Sequence, residues 1–107
     1  MNNTIASGIA PRFANPSSES RSVTLQFDDN ALLAQLFGEF DRHLSLLEKQ
    51  TGVKLSSRGN RLTISGPPGR TMVAEEALRQ LWRGLERGAG CTIAQVEAAM
   101  RMAANGP

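Results

Sequence analysis

The side chains that could do covalent chemistry are few. His43 is the single histidine and Cys91 the single cysteine of the 107 residues. One histidine excludes a histidine cluster for a metal. One cysteine excludes an internal disulfide, and with it a stapled secreted scaffold. The two residues lie far apart in the chain, and no flanking signature marks them as a thiol–imidazole nucleophile pair. The adjacent carboxylates Asp28 and Asp29 precede a helical pattern and read as helix caps, not as an acid–base pair. Gly66-Pro67-Pro68-Gly69-Arg70-Thr71 sits between a strand pattern and a helix pattern, as a phosphate loop would. It lacks the lysine followed by serine or threonine, and its two prolines remove N–H donors. Nucleotide binding by this segment is rejected, and the chain alone does not read as an enzyme.

The inventory for binding is richer. Arg58 and Arg61 flank Gly59-Asn60, Arg42 and His43 open a helical pattern, and Lys54 lies on an alternating stretch. Arginine and lysine pair with phosphate oxygens, and a helix N-terminus adds partial positive charge. Spacing alone favours ordinary surface charges. The formal net charge of +2 is too weak to imply a nucleic acid, and the pI near 9.3 rests on a few arginines.

The elements that position these residues follow from periodicity. Residues 1–21 are rich in Asn, Ser, Gly and Pro and read as a disordered leader, with an interaction peptide as the alternative. Ser22–Phe27 alternates as a half-buried strand with Val23, Leu25 and Phe27 on one face. A helix is expected over Asn30–Phe37, stopped by Gly38 in a left-handed conformation. A second is expected over Asp41–Gln50, with Asp41 as its cap and Gly52 as its end. Val53–Arg58 and Arg61–Ser65 alternate as a hairpin about Gly59-Asn60. Gly66–Gly69 breaks the chain before a helix over Arg70–Arg87, whose stripe runs from Val73 through Leu78 to Leu85. Thr92-Ile93-Ala94-Gln95 is a capping box for a last helix reaching about Ala103, stopped by Asn105-Gly106-Pro107. The fold class is therefore α+β, of order β-α-α-β-β-α plus a C-terminal helix, with helices on one face of a three-stranded sheet. The other face carries Ser22, Thr24, Gln26, Lys54, Ser56, Arg61, Thr63 and Ser65 and no aromatic residue, unlike the base-stacking sheet of an RRM.

This order, with an elbow between its first two helices, resembles the type I KH fold, whose elbow reads Gly-x-x-Gly. Here the elbow is Gly38-Glu39-Phe40-Asp41. Its fourth position is aspartate and Glu39 adds another carboxylate, each an unfavourable contact of about 1 kcal/mol for a solvated phosphate chain. Leu25–Asn30, Leu36–Leu44, Gly52-Val53, Arg58-Gly59-Asn60 and Ile64-Ser65-Gly66 are similar to the N-terminal region of PhoH-like proteins. These are bacterial cytoplasmic ATPases associated with phosphate starvation and RNA metabolism. The resemblance covers residues 22–103. It implies a leader over 1–21, a KH-like domain over 22–87, and a C-terminal helix with the start of a linker over 88–107, leading to an ATPase domain not contained here.

The resemblance also implies a function. A non-catalytic module would bind single-stranded RNA and guide it to the ATPase through Gly38, Phe40, Arg42, His43, Lys54, Arg58 and Arg61. Phe40 either stacks a base or packs within the elbow. No cofactor belongs to this chain; ATP and Mg2+ belong to the ATPase domain. The alternative is a protein-docking module for the ATPase, for an endoribonuclease, or for a homo-oligomer. Exposure of Ile93, Val96 and Met100 would mark that surface. No apolar run reaches the ~20 residues of a membrane span, no signal peptide is legible at the start, and a cytoplasmic location is expected.

Overall fold

A computed structural model describes residues 20–105. The leader expected over 1–21 lies, but for its last two residues, outside the described residues, as do Gly106 and Pro107. The described elements run β1 (Arg21–Gln26), α1 (Asn30–Phe37), a 3-10 turn (Glu39–Asp41), α2 (Arg42–Thr51), β2 (Lys54–Arg58), β3 (Arg61–Gly66), α3 (Pro68–Glu86) and α4 (Ile93–Ala104). The element order is the expected one. α3 starts two residues before the expected Arg70, because Pro68 does not break this helix but opens it. A proline's missing N–H is harmless in a first turn, where it has no partner to lose.

The sheet is antiparallel throughout, in the order β1-β3-β2. Its register stacks three polar rows across the open face: Ser22, Ser65 and Lys54; Thr24, Thr63 and Ser56; Gln26, Arg61 and Arg58. The Ser22 and Ser65 hydroxyls are 3.4 Å apart, and those of Thr24 and Thr63 3.2 Å. The alternate residues Leu25, Leu62 and Ile64 point the other way and are buried under the helices with Leu36, Leu47 and Leu78. Phe27 and Trp82 close one end of this core, their ring centroids 4.6 Å apart.

α4 is part of the same core. Val96, Ala99 and Met100 are buried against α3, and Ile93 is half-buried. The contact surface anticipated at Ile93, Val96 and Met100 is therefore spent inside the domain. The Thr92 capping box forms as read: the Thr92 hydroxyl accepts from the Gln95 N–H, and the Gln95 side chain accepts from the Thr92 N–H at 2.8 Å. Among the described residues, no helix is long and apolar enough to cross a membrane.

Candidate nucleic-acid interface

The elbow is built from an unusual backbone. Gly38 has φ 80° and ψ 170°, so it carries a positive φ but is extended, not left-handed helical as expected. The left-handed residues are instead Phe40 (φ 55°, ψ 33°) and Asp41 (φ 56°, ψ 30°), two and three positions further on. Consecutive non-glycine residues in that region cost roughly 1–2 kcal/mol each. The cost is met by bonds on either side. The Gly38 N–H donates to the Ala34 carbonyl at 3.0 Å, and the Asp41 N–H donates back to the Gly38 carbonyl at 3.1 Å. Asp41 does not cap α2 with its side chain, contrary to the sequence reading; its left-handed backbone takes the carboxylate out of capping geometry. α1 does have the expected aspartate cap, at Asp29, whose carboxylate accepts from the Ala31 and Leu32 N–H groups at 3.0 and 3.1 Å.

His43 is misplaced by the sequence reading as an RNA contact. It is 5% exposed. Its ring lies directly on Gly38, where a Cβ would come within 2.8 Å of the imidazole, and its Nδ1–H donates to the Leu36 carbonyl at 3.0 Å. His43 thus ties the last turn of α1 to the first turn of α2 and fixes the elbow from beneath. The Cys91 Sγ is 3.7 Å from the same nitrogen, and burial pushes the Cys91 thiol above its ordinary pKa. A thiol pushed that way is a poorer nucleophile, so this contact is packing.

Phe40 does not pack within the elbow. It is 94% exposed, at the tip of the strained turn. Beside it, a groove of about 470 Å3 is lined by Gly38, Glu39, Arg42, His43, Cys91 and Thr92, among others. Of the seven residues proposed from sequence, Gly38, Arg42 and His43 meet in this groove. Lys54, Arg58 and Arg61 are exposed and do not line it; they lie on the open face of the sheet. Among the described residues, that face carries these three cations and no carboxylate. Arg58 and Arg61 are register partners, two like charges set directly across a strand pair.

Edge strand β2 is partly guarded. The Leu55 N–H, which points away from β3, donates to the Glu48 carboxylate at 2.7 Å. That signal was missed in the sequence, because Glu48 reads only as a polar residue on the outer face of a helix.

No family model matches the chain. Two solved structures share its fold. One is Dim2p from Pyrococcus horikoshii OT3, with 16% identity and a TM-score of 0.62, covering 78% of this chain and 49% of that one. The other is a protein of unknown function from Aeropyrum pernix, with 17% identity and a TM-score of 0.63, covering 81% of this chain and 46% of that one. The chain thus spans about half the length of each structure it matches. The mixed α+β architecture, with its three-stranded antiparallel sheet, is consistent with a KH-like fold.

Proposed function

We propose that this chain is a type I KH-like module that binds single-stranded RNA, non-catalytic in itself, and that it serves as the N-terminal module of a cytoplasmic PhoH-like ATPase to which it guides the strand. The observation that carries the RNA reading is Phe40. A large apolar ring held 94% exposed on a strained backbone is disfavoured twice over in the domain alone. A base stacking on the ring repays both, at roughly 1–3 kcal/mol per base. Arg42 in the adjoining groove, and Lys54, Arg58 and Arg61 on the open sheet face, supply phosphate partners. The link to the ATPase rests on the Leu36–Leu44 sequence run, and on that link ATP and Mg2+ are handled by the other domain.

An NMR titration of the isotope-labelled domain with a short oligouridylate tests the RNA reading. Shifts are expected at the Gly38–Arg42 amides, weakening as salt rises. Phe40→Ala should reduce affinity by the stacking energy, about 1–3 kcal/mol, and leave the spectrum of the core unchanged. An unaltered affinity in that variant would remove Phe40 from the site.

A second reading is favoured by one observation: Glu39 and Asp41 flank Phe40, and an acidic rim around an apolar ring suits a protein pocket with a basic edge. The candidate partners are the ATPase domain, an endoribonuclease or a second copy of the chain. A flat RNA titration, with Phe40→Ala abolishing binding to one of these, would transfer the function to docking.

A further inference from the structure

The elbow groove is one end of a longer feature. It is lined by the first turn of α2, at Arg42 and His43, and by the start of α4, at Thr92 and Ile93. A second groove of about 500 Å3 is lined by the last turn of α2, at Lys49 and Gln50, and by the end of α4, at Met100 and Arg101. The two helices therefore lie side by side in the same direction, and the grooves are the two ends of the crease between them. Ten residues of α2 separate the ends by about 15 Å.

The far groove gathers three cations from three elements: Lys49 of α2, Arg70 of α3 and Arg101 of α4, with no carboxylate among the described residues of its lining. None of the three is in an ion pair among the described residues, where the ion pairs are Arg79 with Glu75 and Arg83 with Glu76. Arg70 is held in place by Gly52, over which its guanidinium packs so closely that a Cβ would lie 2.6 Å from Nη1. Helix dipoles account for Lys49 and Arg101 singly, since each stands in the last turn of its helix. They do not account for convergence, because like charges gathered in one groove repel. A bound anion removes that repulsion.

We infer that the Lys49–Arg70–Arg101 groove binds phosphate groups of the same RNA strand that enters at the elbow, the strand following the α2–α4 crease. This rests on the RNA reading proposed above and extends it to a surface that no residue of the sequence-stated site includes. All three side chains are exposed; Arg70 is the one packed over Gly52, between the two helix ends.

The test compares two oligouridylates, about four and about ten nucleotides long, on the labelled domain and on its Lys49→Gln/Arg101→Gln variant. Both substitutions are at exposed positions, and an unchanged amide dispersion verifies the fold. The short strand should move only the Gly38–Arg42 amides. The long strand should also move Gln50–Gly52 and Gly69–Thr71. In the variant the second set should stay still, and the logarithmic salt slope for the long strand should shallow by about 1.4, the loss of two contacts at about 0.7 each on a single strand. That slope corresponds to about tenfold weaker binding at physiological salt, with the short strand unaffected. A long strand that moves only the elbow amides, or binds the variant as tightly as the parent, overturns the groove and leaves the elbow reading intact. Shifts confined to the groove would overturn the elbow reading and, with it, the continuous path along the crease. No shift with either strand overturns both.

Discussion

At the residue scale, Gly38 and His43 are one device. The positive φ of Gly38 and the imidazole lying on its Cα both exclude a side chain there. Gly38→Ala should therefore cost about 1–3 kcal/mol for its extended, positive-φ backbone and about 1–3 kcal/mol more for the displaced ring. Gly59 separates the two terms: its φ is 61°, and a Cβ there would meet nothing within 4 Å. Gly59→Ala should show the backbone cost alone in a urea titration, and equal losses for the two variants would refute the His43 contact as the cause. Cys91 offers a pH readout. Its thiol pKa is raised by burial, so the folded state holds its proton longer than the unfolded state does. Stability from this group is present below the ordinary thiol pKa of 9.0 and declines as pH rises past it; Cys91→Ser should flatten that decline. The glycine stop and the Phe-Gly-Glu-Phe-Asp elbow were legible in sequence as a break between helices. The burial of His43 and the exposure of Phe40 were not, because both depend on two left-handed residues that are not glycine, and no local residue type signals that geometry.

At the element scale, caps and apolar stripes could be read in advance wherever the chemistry was local. The alternation of β1 and β3, the Thr92–Gln95 box and the stripe of α3 all survive with boundaries shifted by a residue or two. The cap of α1 separates the two adjacent aspartates. Asp29 accepts two backbone N–H bonds, and no side-chain bond of Asp28 is seen among the described residues. Asp29→Ala should lose about 1 kcal/mol, whereas Asp28→Ala should change stability by less than about 0.5 kcal/mol; denaturation midpoints of the two variants decide it. What local pattern could not supply was the destination of α4. Its apolar residues suit an external partner as well as they suit this core, and only the packing of Val96 and Met100 on α3 distinguishes them. For that reason the basic crease went unread: Lys49, Arg70 and Arg101 belong to three helices and meet only once α4 is docked.

At the scale of the whole molecule, charge is sorted by surface more than the net value of +2 conveys. Among the described residues, the ion pairs lie along α3, while the open sheet face carries cations without carboxylates. The clearest cost of that sorting is the hairpin end, where Arg58 faces Arg61 across the strands and Gln26 completes the row. Like charges directly opposite are destabilising, and opposite charges there contribute roughly 0.2–1 kcal/mol. Arg58→Glu should therefore raise the stability of the free domain by a few tenths to about 1 kcal/mol. If the pair is retained to hold phosphate, the same substitution should weaken RNA binding and shallow its salt slope by about 0.7 or more. Reversing Arg61 as well restores a like-charge pair, now negative, so the double variant should lose the stability gain while binding RNA more weakly still. Thermal unfolding and a salt-dependent titration on the same three proteins read both quantities. A stability gain with unchanged RNA affinity would assign the sheet face to something other than RNA and confine the strand to the elbow and its crease.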